Sequence, residues 1–376
     1  MTTINTLSTL HVMTPEPGAA LEGLLADLPV ADATAVVFFA SPAHEGTRIA
    51  AALHAAAGGA PVIGCTTAGE FSDVATGVHG IAAMALPKAK VARAAAALAT
   101  YDDGVDAGIH RAVASLEEQL GTALRELDPE RHVGIVLMDG LGGHEERVNE
   151  LLGQAAPFLP FVGGSAGDDL AFERTTVYVD GAGCDEGAAL LVLEMGVPFA
   201  ITRTCSFEPA GRTFRITRAD VQNRIVRELD GRPAIEVYAE AVGVRPDELG
   251  SSVFMTAPLG LMIDGEPWIR SPQRIVDGGL KFYCQILEGI DVDLMRSTDL
   301  VEETRDALQK AAQELGGRVS GALLFNCILR RLEMDDKGVG SDFVTAVGQF
   351  PVCGFHTYGE SYVGHMNQTL TGLLIG

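Results

Sequence analysis

The chain has 376 residues, 47% hydrophobic and 20% charged, a globular composition with enough apolar sequence for a large core and no disordered or collagen-like signature. The 50 acidic against 27 basic side chains give a formal charge of -23, which repels phosphate backbones and anionic lipid, so nucleic acid and membrane surfaces are not expected partners. The length suits two domains.

In chain order, residues 1–30 read as an N-terminal segment, and residues 35–40 follow as a short apolar run of β-formers, the pattern of a strand buried on both faces. Ser41-Pro42 reads as the start of a helix that Gly58-Gly59 ends. Strands at 61–63 and 81–86 complete a first unit of strand, helix, strand, Gly-rich turn and strand. A second unit has a strand at 133–138, a helix over about 143–156, a turn at 163–168 and a strand at 188–193. The longest apolar stretch, 188–201, is interrupted by Glu194 and Pro198 and falls short of the roughly 18 apolar residues that span a bilayer.

Apolar residues at 221, 225, 226 and 229 then form a helical stripe stopped by Gly231, and 233–242 reads as another helix ended by Gly243. Extended, turn-rich sequence follows as far as Tyr283. A helix over about 300–315 begins with Asp299 and Glu302 placed as in a capping box. A third unit has a strand at 322–325 with Arg330 and Arg331 at its end, a short helix near 341–347, a turn at 354–360 and a strand at 369–375. Connections of this length join parallel strands, so the expected fold is α/β: two domains of mixed sheets covered by helices, with internally repeated units at 33–86, 132–194 and 320–375. The boundary is placed near 225, giving domains 31–225 and 226–376.

The repeat is most visible in the turns. Pro61-Val62-Ile63-Gly64-Cys65-Thr66-Thr67-Ala68-Gly69-Glu70 returns as Pro351-Val352-Cys353-Gly354-Phe355-His356-Thr357-Tyr358-Gly359-Glu360, and a looser copy, Pro160-Phe161-Val162-Gly163-Gly164-Ser165-Ala166-Gly167-Asp168, lies between them. The first basic residue is Arg48, so the N-terminus lacks the charged region of a signal peptide and a cytoplasmic protein is expected. Cysteines 65, 184, 205, 284, 327 and 353 stand singly without a C-x-x-C pair, which argues against a zinc site or disulfide framework; reduced, mostly buried thiols are expected.

The turns at 64–70 and 354–360, with the run Ala322-Leu323-Leu324-Phe325-Asn326-Cys327-Ile328-Leu329-Arg330, resemble the FIST sensory proteins, with their N-terminal and C-terminal FIST domains, over about 31–366. The resemblance implies a cytosolic signal-transduction module that binds small ligands such as amino acids. It also implies, as the alternative, a b-type haem that senses nitric oxide and reports to a partner histidine kinase or cyclic-di-GMP enzyme. The length leaves no room for a kinase, receiver or cyclase domain, so output is expected to act in trans.

Within the turns, Gly64 and Gly69 allow close backbone approach, and Thr66, Thr67, Ser165, Thr357 and Tyr358 supply hydroxyls. Glu70, Asp168 and Glu360 close the three turns as acids for a ligand ammonium or a nearby N–H. Arg330 offers a guanidinium for a carboxylate. An amino-acid-like ligand is therefore expected between Arg330, the Thr66-Thr67 turn and Glu360, where the turns of the two domains meet. The plainer reading of each residue is structural: glycines for tight turns, hydroxyls tying down loops, acids and arginines paired within the protein. For haem, His365 is the first candidate ligand, before His356, His44 and His144, and the absence of C-x-x-C-H excludes covalent attachment. A hydrolase using Cys65 or Ser165 as nucleophile, with a histidine from elsewhere as base, is the least supported alternative: Walker A and G-x-G-x-x-G after a strand are both missing.

Overall fold

The computed structural model of the protein describes residues 7–14 and 16–376 and is mixed α/β, with nine α-helices and four sheets among those residues. In the first sheet Ala33–Ala40 and Val62–Thr66 run parallel, joined through the helix Gly46–Ala56, and Gly80–Pro87 lies antiparallel on the other side of Ala33–Ala40. The second sheet pairs His132–Met138 with Phe161–Ser165 in parallel through the helix Glu145–Ala155, with Gly187–Met195 antiparallel. The third pairs Gly321–Cys327 with Val352–Thr357 in parallel, with Thr369–Ile375 antiparallel. The order of pairing is the same in each. Ser8–Met13 adds an edge to the first sheet by pairing with Gly80–Pro87.

The three sheets exchange strands in a closed circle. Past the first turn, Glu70–Ser72 pairs with Val352–Thr357 of the third sheet, Gly354 opposite Phe71. Past the third turn, Glu360–Tyr362 pairs with Phe161–Ser165 of the second. Past the second turn, Val177–Val179 pairs with Val62–Thr66 of the first, Tyr178 opposite Gly64. The frame glycines are needed here: a Cβ would lie 2.3 Å from the Phe38 ring at Gly64 and 2.3 Å from the Phe71 ring at Gly354.

Strands apolar on both faces are explained by two layers of contact. Inner faces of the three sheets share one core, in which Phe39 packs 4.5 Å from Phe355 and 6.0 Å from Phe325, centroid to centroid. Outer faces are covered by helices through Leu24 and Leu53 on the first sheet, Ile109, Leu116 and Leu152 on the second, and Leu308 and Phe343 on the third. Residues 207–297 leave this body as a lobe, an eight-stranded sheet with its own core around Phe214, Tyr238 and Phe282.

Several expected elements differ. The stripe at 221–229 is a turn followed by the strand Ile225–Leu229: Asp220 accepts from the Asn223 N–H at 3.2 Å, Arg224 takes φ 57°, and β-branched Ile225 and Val226 are buried against neighbouring strands. The boundary placed near 225 therefore falls inside one hairpin, Phe207–Asp220 with Ile225–Leu229. Ser41 does not cap a helix; its hydroxyl accepts from Ala43 N–H at 3.2 Å and donates to Asp169 at 2.7 Å, and the helix begins at Gly46. Arg330 and Arg331 lie in a helix, Ile328–Lys337, rather than at a strand end. At the helix Leu300–Glu314 the Asp299 carboxylate accepts from Val301 N–H (2.9 Å) and Glu302 N–H (3.1 Å), as its cap should. All six cysteines are free, with Cys65, Cys284, Cys327 and Cys353 buried. No helix among the described residues is long and apolar enough to cross a membrane.

Candidate functional site

The strand exchange brings the three Gly-rich turns together, each bonded to both others through backbone. Ala68 N–H donates to His356 O (3.1 Å) and His356 N–H to Gly69 O (2.8 Å). Gly167 and Asp169 N–H donate to Thr66 O and Thr67 O, both at 3.0 Å, while Ser165 N–H reaches Gly359 O (2.7 Å) and Tyr358 N–H reaches Ser165 O (3.2 Å). The sequence places candidate residues on these turns, and the fold brings them together.

Most of their side chains then turn out to hold the junction. Glu70 accepts from the Thr67 hydroxyl and from Gly80 N–H at 3.0 Å. Glu360 repeats this with the Thr357 hydroxyl (2.5 Å), Thr369 N–H (3.1 Å) and the Thr369 hydroxyl (2.8 Å). Both acids are fully buried, and burial raises Glu70 to about 8 and Glu360 to about 7 against the opposing pull of their hydrogen bonds. Asp168 accepts from Phe172, Glu173 and Arg174 N–H at 2.9, 2.7 and 2.9 Å and from the Tyr358 hydroxyl, fixing the segment beyond the second turn.

Arg330 is likewise closed off. It is 0% exposed, and its guanidinium donates to Asn326 Oδ1 (2.9 Å), Ser206 Oγ (2.9 Å), Thr304 Oγ1 (2.6 Å) and Leu300 O (3.3 Å), leaving no fork for a ligand carboxylate. Arg331 donates to Ala68 O at 2.7 Å.

A cleft opens beside the first turn. It holds about 670 Å³ and is lined by Thr66, by Gly46, Thr47 and Arg48 at the start of the helix, and by Arg174, Thr176 and Tyr178 of the exchanged segment, with Glu45 and Glu173 also on its walls. The N-cap residue Glu45 makes no side-chain bond to the first helical N–H groups, so the positive end of the helix faces the cleft uncapped. Two arginines, an open helix start, hydroxyls and two carboxylates can meet a small molecule carrying both charges. Thr66 and Asp168, among the residues singled out by sequence, line this cleft, and Tyr358 lines a second cavity. Arg48, Arg174, Thr176 and Tyr178 carry no local signal, because the exchange that brings the last three to Thr66 joins residues more than 100 positions apart.

Of the candidate haem ligands, His44 lines the cleft beside Thr66, while His365 and His356 are enclosed. His365 is buried with Nε2 unpartnered, and burial lowers its pKa despite Glu145 and Glu146 nearby, but the cavity beside it holds only about 110 Å³, too little for a porphyrin. His356 is fully buried, with Nδ1 bonded to Asn326 Nδ2 (3.0 Å) and Nε2 to Thr76 Oγ1 (3.2 Å), so neither nitrogen is free for iron. No group of three or more metal-ligating side chains occurs among the described residues. As nucleophiles, Cys65 is held protonated by burial and Ser165 Oγ has no hydrogen-bond partner to act as base.

Residues 34–232 match the FIST N domain and residues 234–362 the FIST C domain, so the chain belongs to the FIST family. FIST domains are small-ligand sensory domains of signal transduction, and the family is a sensory rather than a catalytic one. An uncharacterized protein of Methanocaldococcus jannaschii is 25% identical over 302 residues, covering 69% of this chain and 58% of its own. Uncharacterized proteins of Mycobacterium bovis and Mycobacterium tuberculosis are each 29% identical over 182 residues, covering 44% of this chain and 45% of theirs. The chain spans about half the length of the curated relatives it matches.

Proposed function

We propose that this chain is a sensor that takes an amino-acid-like molecule into the cleft beside Thr66 and acts in trans on a partner histidine kinase or cyclic-di-GMP enzyme in the cytoplasm. One observation carries the reading: the cleft has the volume of a small-ligand site, roughly 300–1,000 Å³, and sets groups of both charges around it. The ligand carboxylate lies at the N–H groups of Gly46, Thr47 and Arg48 with the two arginine side chains, and its ammonium faces Glu45 and Glu173. Arg330 and Glu360 act as supports of the turn junction and not as ligand groups. A thermal-shift screen of amino acids and related metabolites tests the reading, because a ligand bound to the native state raises its stability by about 2.7 kcal/mol at a hundredfold excess over Kd. A shift with an α-amino acid supports it, and no shift with any of them removes it.

A further inference from the structure

A second cavity, of about 250 Å³, lies between the loop 140–143, which follows His132–Met138, and the lobe. One wall is aromatic. Phe172 is 48% exposed and stacks on Tyr358 with centroids 5.0 Å apart and planes within 19°, so one face of its ring is covered and the other is left for a guest. Gln222 and Gln273 set amide groups on the lobe side, and Lys281, which has no ion-pair partner among the described residues, adds a donor.

A Gly-rich loop before a helix suggests a phosphate seat, but here that seat is already filled. Asp139 accepts from Leu141 N–H at 2.9 Å and Gly142 N–H at 2.8 Å, and Glu145 and Glu146 occupy the first turn of the helix. The nearby cation, Arg224, donates to Glu145 (2.8 Å), Glu146 (2.5 Å), Gly143 O (3.1 Å) and Tyr283 O (2.6 Å), so its charge is spent. What remains is a π face, amides and one ammonium, a set that suits an uncharged ring bearing N–H and carbonyl groups at its edge.

We propose that this cavity binds a nucleobase, presented as the free base or nucleoside, stacked on Phe172 with its edge on Gln273, Gln222 and Lys281 and its sugar at the mouth. The stacking is sequence-tolerant because every base has a π face, while Lys281 favours bases with a ring carbonyl, such as guanine and uracil. The site is separate from the cleft beside Thr66 and does not depend on what that cleft holds.

Saturation-transfer NMR with guanosine, uridine, adenosine and glucose against the full chain tests this, using wild type, Phe172→Ala, Gln273→Ala and Arg48→Ala. Guanosine and uridine are expected to bind, Phe172→Ala to weaken them by about fivefold to a hundredfold, and Arg48→Ala to leave them unchanged. Phe172 is half exposed, and circular dichroism confirms that its variant is folded. The proposal is overturned if no nucleoside binds at millimolar concentration, if glucose binds in their place, or if Phe172→Ala binds as wild type does. It is also overturned if Arg48→Ala abolishes nucleoside binding, since that puts the nucleoside in the larger cleft.

Discussion

Glu70 and Glu360 are held by the same partners: a threonine hydroxyl three residues earlier and an N–H from the returning strand. A neutral carboxyl suits such a buried site better than a carboxylate, and the consequence is a definite pH dependence. Below the ordinary carboxylate range, near 4.5, both folded and unfolded chains keep these protons and the two groups contribute nothing to the slope. As pH rises toward about 7 for Glu360 and about 8 for Glu70, the unfolded chain ionises first, so wild-type stability falls by up to about 1.4 kcal/mol per pH unit for each acid and levels off above. Glu70→Gln/Glu360→Gln removes this slope. Urea unfolding at pH 5, 6 and 7 should therefore show the double variant gaining on wild type as pH rises; parallel curves would mean that both acids titrate normally. The repeated frame identifies these acids from sequence alone, since Thr-x-x-Glu recurs at fixed spacing. Their role is hidden there, because Gly80 and Thr369 reach them only through the returning strands. Arg330 is a similar case: its residue type suggests a carboxylate clamp, and its surroundings, Ser206 and Thr304, come from distant segments.

At the scale of elements, the central strands of the three sheets and the helix capped by Asp299 are legible from apolar runs and the cap, because each is decided by local pattern, whereas the helix start at Gly46 and the helix Ile328–Lys337 are not. The hairpin Phe207–Asp220 with Ile225–Leu229 is not: apolar residues at 221, 225, 226 and 229 fit a helix, and only pairing across the lobe settles them as a strand. The Ala-rich edge strand Val91–Thr100 is similarly decided by its partner Gly187–Met195, since alanine has little preference for strands. The turn of that hairpin carries Arg224, which ties the lobe to the helix Glu145–Ala155. Arg224→Ala leaves Glu145, with a side chain 4% exposed, without its counter-charge, at a cost of about 3–5 kcal/mol. Hydrogen exchange should then quicken at 140–146 and 280–285 while the central turns stay protected. Uniform loss of protection would show that the contact supports the whole fold rather than the lobe alone.

For the molecule as a whole, the circular exchange of strands makes the two family domains interdependent. The third sheet takes Phe199–Cys205 and Glu70–Ser72 from the N-terminal stretch and its central strands, Gly321–Cys327 and Val352–Thr357, from the C-terminal one. A chain ending at 232 loses those central strands and exposes Phe39 and the rest of the shared core, so it should lack cooperative unfolding and bind hydrophobic dyes. A sharp unfolding transition in that fragment would contradict the interdependence. The same exchange carries Tyr178 and Thr176 to the cleft beside Thr66, and that cleft is where the sensory reading stands or falls. Calorimetric titration of the stabilising amino acid into wild type, Arg48→Ala/Arg174→Ala and Arg330→Ala measures this most directly. Affinity is expected to be at least about tenfold weaker in the double variant, a loss of about 1.4 kcal/mol or more, and unchanged in folded Arg330→Ala. Unchanged binding in the double variant with loss in folded Arg330→Ala would contradict it.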